Sequence, residues 1–179
     1  MDTRRRKIAA IIVVAMIVVL GMSWYVVSRP HPSEAEKVIL RASDLGGTWG
    51  ETDFFTPPVL IPNQTSLAHI IIANTSGNIE DYGFVIEVSD FKTVMDCHSR
   101  YLRDISSDQI TDNSSAIQFG DEAIVYKESP GTYAIIFTRG PFYCWVVGVP
   151  ESNLIYSSYN QTLHMANIQL EKIDRYLGG

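Results

Sequence analysis

AIVYKESPGTYAIIFTRGPFYCWVVGV, residues 123–149, holds three β-rich segments: Ala123–Lys127, Thr132–Thr138 and Phe142–Val149. Ser129, Pro130 and Gly131 separate the first two, and Gly140 with Pro141 separates the last two. Glycine reaches backbone angles other residues avoid and proline has no N–H for a ladder, so each break reads as a turn. Connections this short force antiparallel pairing, and two consecutive hairpins are expected. The segment Phe142–Val149 is apolar on both sides, which predicts a central strand or one covered by the Trp49 region.

Working outward, Ala116–Phe119 reads as a further strand, and so do the apolar run Leu67–Ala73 and the alternating run Gly83–Ser89. At Asp90 the period changes. Phe91, Val94, Met95, His98, Tyr101 and Leu102 recur every three or four residues, which predicts a helix over Phe91–Asp104 with Asp90 as its N-cap. Ser106–Ser115 is polar and loop-like. A last helix over Ser157–Leu177 would carry Leu163, Ala166, Leu170, Ile173 and Leu177 along one stripe, with Gly178 as C-cap. Near the front, Ser33 and Glu36 have the spacing of a capping box, so a helix is expected over Glu34–Ala42. Asp44–Gly50 should turn, with Leu45 and Trp49 plugging the edge of a core. The prolines of Thr52–Gln64 predict an irregular connection. The expected class is α+β: an antiparallel sheet packed against amphipathic helices, both main helices on one face and the other face wetter, preceded by one transmembrane helix.

That transmembrane helix is Ile8–Val27, twenty residues without charge or proline. As a helix it would be about 30 Å long, the thickness of a bilayer's hydrocarbon. Arg4, Arg5, Arg6 and Lys7 precede it and would hold the N-terminus in the cytoplasm, with the rest of the chain outside; Trp24 and Tyr25 suit the far headgroup level. A cleaved secretory signal is the rival reading, but its apolar core is usually about 7 to 15 residues and the A-x-A pattern is missing. The organisation expected is a basic tail at 1–7, an anchor at 8–28, a linker at 29–34 and an extracytoplasmic domain at 35–179, in a single-pass cell-membrane protein. The lipid bilayer is then a partner through residues 8–28.

Of 14 Lys and Arg and 20 Asp and Glu, five basic residues and Asp2 precede His31, leaving 9 against 19 and a net charge of −10 over the last 149 residues. Phosphates would be repelled, which excludes nucleic acid as a partner. The catalytic inventory is thin. His31, His69, His98 and His164 have no metal-ligand spacing, and no HExxH, CxxC, GxSxG or P-loop run occurs. Asp121 and Glu122 are adjacent and would point apart in a strand. No catalytic, metal or cofactor-binding residue, and no cofactor, is assigned.

Two cysteines in an oxidising compartment allow one bridge, so Cys97 and Cys144 are expected as a disulfide, with two separately buried thiols as the other reading. Closing 47 residues would remove denatured-state entropy worth roughly 4 kcal/mol. Asn63, Asn74, Asn113 and Asn160 each begin an N-x-[ST] sequence; glycan attachment is expected at one or more of the first three, given a host with the machinery.

Phe119-Gly120-Asp121-Glu122-Ala123 opening a hairpin, the order of helix, strands and helix, and the terminal amphipathic helix together resemble the extracytoplasmic domains of the PsbP-like and LpqN-like families. The resemblance spans roughly Ala35–Leu177. It implies a small α+β sandwich without a shared active site, so no functional residue is carried over; the lipobox cysteine of the lipoprotein members has no counterpart here. Two function classes follow. One is a membrane-anchored domain with a binding or accessory role at the cell surface, toward a small ligand or another envelope protein. The other is an extracytoplasmic hydrolase, which a polar pocket gathering His69, Asp121 and Glu122 would favour.

Overall fold

A computed structural model describes residues 33–53, 60–74, 82–107, 110, 114–129, 132–150 and 157–178. Among them are four helices, α1 (Glu34–Val38), α2 (Ala42–Leu45), α3 (Val94–Ile105) and α4 (Tyr159–Gly178). The strands are β1 (Trp49–Asp53), β2 (Gln64–Asn74), β3 (Tyr82–Phe91), β4 (Ser114–Ala116), β5 (Glu122–Ser129), β6 (Thr132–Arg139) and β7 (Phe142–Pro150). They form one antiparallel sheet in the order β1-β2-β3-β7-β6-β5-β4. Two meanders, β1–β3 and β4–β7, thus meet where β3 pairs β7, with Ile86 opposite Val146. The expected α+β class and the central place of Phe142–Val149 are what the structure has. The span at 8–28 lies outside the described residues, among which no helix is long and apolar enough to cross a membrane.

Side chains alternate across the sheet and are buried on both faces. Phe84, Ile86 and Val88 of β3, with Phe142, Cys144 and Val146 of β7, face α1 and α4, where Ala35, Val38, Met165, Ala166 and Ile173 meet them. The opposite parity, including Tyr143 and Val147, with Ile136 of β6 and Tyr126 of β5, faces α3 through Cys97 and Tyr101. The expectation of both long helices on one face is therefore corrected. The second face carries its own apolar row and needs its own cover.

Three local readings also shift. The helix expected over Glu34–Ala42 stops at Val38 and resumes at Ala42, because Ile39 is extended (ψ 138°) and both Ile39 and Leu40 enter the core. Gln169, fully buried on α4, holds this break: its Oε1 accepts from Leu40 N and its Nε2 donates to Val38 O, both at 2.8 Å. The α4 stripe is accordingly rotated toward Thr162, Met165 and Gln169, leaving Leu177 47 % exposed. Asp90 does not cap α3. It sits in β3 opposite Phe142 and bonds Thr65, while Thr93 caps by accepting from Asp96 N at 3.1 Å. The turn and prolines around Trp49–Asp53 hide β1, which pairs β2 with Trp49 opposite Asn74.

The expected disulfide between Cys97 and Cys144 is not formed in the structure. Cys97 and Cys144 are free, buried thiols. Cys97 belongs to the α3 face, whereas the two-residue period of β7 turns Cys144 toward α4 on the other side of the sheet. Burial pushes the Cys97 thiol up to about 12, so neither cysteine is a ready thiolate.

Alkylation of the denatured, non-reduced chain should therefore label both cysteines; a mass with neither labelled would refute the assignment. Gln169→Leu should destabilise the domain by about 2–5 kcal/mol in chemical denaturation, since Leu40 N and Val38 O would both be stranded in the core. An unchanged midpoint would show that the clamp carries no weight.

Candidate functional site

The α3 face of the sheet is built in rows. His69, Glu87, Trp145, Ile136 and Ile124 stand side by side on β2, β3, β7, β6 and β5, and a neighbouring row runs Leu67, Ser89, Tyr143, Thr138, Glu122. Glu87 and the aromatic pair Tyr143 and Trp145 are thus brought together by strand register alone. Above them α3 presents Arg100, Arg103 and Asp104, spaced so that Arg100 and Asp104 lie one turn apart. Helix and sheet together line an open pocket of about 330 Å³ whose further walls are Tyr126, Ile136, Ile110 and Ser107.

Its polar groups are mostly tied to one another. Asp104 Oδ2 accepts from Tyr143 OH at 2.8 Å and lies 2.7 Å from Arg100 Nε, while Arg103 Nε is 3.8 Å from its other oxygen. The Arg100 guanidinium stands 5.3 Å over the Tyr143 ring. Trp145 Nε1 donates to Tyr126 OH at 2.9 Å, and Gln64 Nε2 donates to Ser89 Oγ at 2.8 Å. Burial pushes the Glu87 carboxyl above the usual range, with Asp104 adding to the rise and Arg100 and the Ser89 hydroxyl opposing it. Burial, then the Asp104 charge, holds the Tyr143 phenol well above 10; burial takes Tyr126 to about 12. Both phenols stay protonated at neutral pH; Tyr143 donates to Asp104, and Tyr126 accepts from Trp145. The arrangement can bind polar groups and stack flat ones.

The residues singled out in the sequence fall elsewhere. His69 is on β2 and Glu122 on β5, four strand spacings or about 19 Å apart, so the expected gathering of His69, Asp121 and Glu122 does not form. Burial lowers the His69 pKa. Asp121 accepts from Arg139 Nη1 at 2.9 Å and Gly140 N at 2.7 Å, closing the hairpin end. Gly120 has φ +61°, and a Cβ there would lie 2.5 Å from Thr138 O, so the glycine of the quoted motif is required by the turn. Glu122 instead meets His98, Nδ1 to Oε2 at 2.6 Å, beside a second, apolar groove of about 590 Å³ lined by Val94, Met95 and Thr138. His164 is exposed on α4, and His31 and Asn113 lie outside the described residues. Asn63 sits in a turn with φ +67° and donates from Nδ2 to Asp96 at 2.7 Å; Asn74 ends β2. Among the described residues no group of three His, Cys, Asp or Glu could hold a metal ion.

Sequence reading missed Glu87, Arg100, Arg103, Asp104, Tyr126, Tyr143 and Trp145. The available signals were a carboxylate inside the apolar alternation Phe84–Val88, two aromatics at alternate positions of β7, and the Arg100–Asp104 spacing. No family model, curated protein or solved structure matches the chain.

The Glu87 shift has a definite sign. A carboxyl whose folded pKa lies above its unfolded value near 4.5 loses stability as pH rises through the folded pKa. With Arg100, Asp104, Tyr143, Ser89 and the neighbouring His69 facing it, Glu87→Gln should melt higher than wild type at pH 7, and the two should converge near pH 4. Parallel melting curves at both pH values would contradict this.

Proposed function

We propose that the chain is a membrane-anchored protein whose outward-facing domain, residues 35–179, has a binding or accessory role at the cell surface and takes a small ligand beneath α3. The cavity of about 330 Å³ carries this reading: it has aromatic walls, apolar patches and a few oriented polar groups, the usual make-up of a small-molecule site. Arg100, Asp104 and Tyr143 constrain one another's positions, so a ligand would meet a prepared surface. The uncharged run at 8–28 after four basic residues supports the anchor in the lipid bilayer and a single-pass cell-membrane location. The net charge of −10 beyond residue 30 speaks against nucleic acid. Glycans at Asn63, Asn74 or Asn113 would accord with an outward domain, as would the resemblance to PsbP-like and LpqN-like domains; another envelope protein is a further partner of this class.

A hydrolase is the second reading, and the His98–Glu122 contact is what favours it. A carboxylate on Nδ1 orients the ring and leaves Nε2 for proton transfer.

In intact cells, external protease should remove the domain and leave the N-terminus attached. Protection until the membrane is opened would overturn the topology. For binding, a panel of small polar compounds should include some that raise the melting temperature of wild type and not of Ser107→Trp, which fills the cavity mouth from an exposed position. Saturation a hundredfold above Kd stabilises by about 2.7 kcal/mol. Equal shifts in both proteins would remove the cavity from the reading, and turnover abolished by His98→Ala would favour the hydrolase.

A further inference from the structure

Arg100 is the unusual group in this cavity. Its side chain is only 26 % exposed, its Nε is engaged by Asp104 at 2.7 Å, and its plane is held over Tyr143. No acceptor among the described residues bonds its two terminal nitrogens. Arginine carries five N–H donors in a rigid fork, so four remain for an acceptor group that the cavity can admit. Asp104 is meanwhile occupied by Arg100, Tyr143 and the more distant Arg103. The structure therefore holds a preset donor pair at the cavity wall.

We infer that the cavity takes a small organic carboxylate, gripped by the terminal nitrogens of Arg100, with a flat apolar body lying between Trp145, Tyr126 and Ile136. The inference rests on the cavity being a ligand site and names what that site recognises. Charge selects a monoanion. Arg100 and Arg103 stand opposite Asp104 and Glu87 on the pocket wall, so the wall offers little excess positive charge to a multiply charged anion. One carboxylate brings a single charge to Arg100; a phosphate dianion would bring a second, which Asp104 repels. Geometry agrees, because a guanidinium edge matches the two oxygens of a carboxylate in a bidentate pair. The indole N–H of Trp145 is already donated to Tyr126, so the ring contributes apolar surface and a stacking face. A cavity of about 330 Å³ lies at the small end of ligand sites and suits a one- or two-ring acid.

The test uses the full chain in detergent micelles and three probes of one shape: phenylacetate, phenylacetamide and benzylphosphonate, titrated by calorimetry at pH 7. Phenylacetate should bind about tenfold or more tightly than phenylacetamide, the gain expected of a charge-assisted bidentate contact. Arg100→Gln should erase that preference. Arg100→Lys retains a positive charge opposite Asp104, covers the case in which Arg100→Gln fails to fold, and should keep only a small part of the preference because the fork is gone. Equal affinity for acid and amide, a preference that survives Arg100→Gln, benzylphosphonate binding more tightly than phenylacetate, or binding by none of the three would each overturn carboxylate recognition. Of these, equal binding of acid and amide leaves the cavity a ligand site, whereas loss of the cavity reading itself is registered by Ser107→Trp.

Discussion

The pairing of β3 with β7 is the contact on which the domain depends. It joins residues 52 to 68 positions apart in the chain, from Asp90 opposite Phe142 to Tyr82 opposite Pro150. Before it forms, each meander ends in an unpaired strand with apolar side chains on both faces, an arrangement prone to pairing with the wrong partner. Once it forms, β7 becomes the middle of seven strands and two cores assemble at once. Because so much sequence separation must be closed, folding is expected to be slower than in a helical domain of this size.

The two faces use that central strand differently. Toward α1 and α4 the packing is almost wholly apolar, and among the described residues the one large polar side chain that is fully buried, Gln169, is satisfied by the backbone break between Val38 and Leu40. Toward α3 the apolar cluster is interrupted where Glu87, Tyr143 and Trp145 come into register, and α3 answers with Arg100 and Asp104 rather than with leucines. Burying such groups lowers stability unless they are paired, and here most of them are. The same face therefore holds a core at Cys97 and Tyr101 and a ligand-sized cavity one helical turn further on. Cys144 belongs to the first face and Cys97 to the second.

The sequence by itself determined the apolar span at 8–28 as a candidate anchor, the strands β5, β6 and β7, the helices around Val94 and Leu170, and the α+β class. Those follow from local periodicity and turn chemistry, which act over a few residues. Tertiary structure alone decided which face each helix covers, the break at Ile39, the strand β1 in a segment full of turn residues, and the different faces to which Cys97 and Cys144 belong. It also decided the site. Glu87, Trp145 and Tyr126 come from three strands, and Arg100 reaches them only after α3 has docked, so no window of sequence holds them together. Asp121 and Glu122 are adjacent in sequence yet serve different partners, Arg139 and His98, because Asp121 lies in the bend before β5, tied to Thr138 O and Gly140 N, whereas Glu122 is the first residue of the strand.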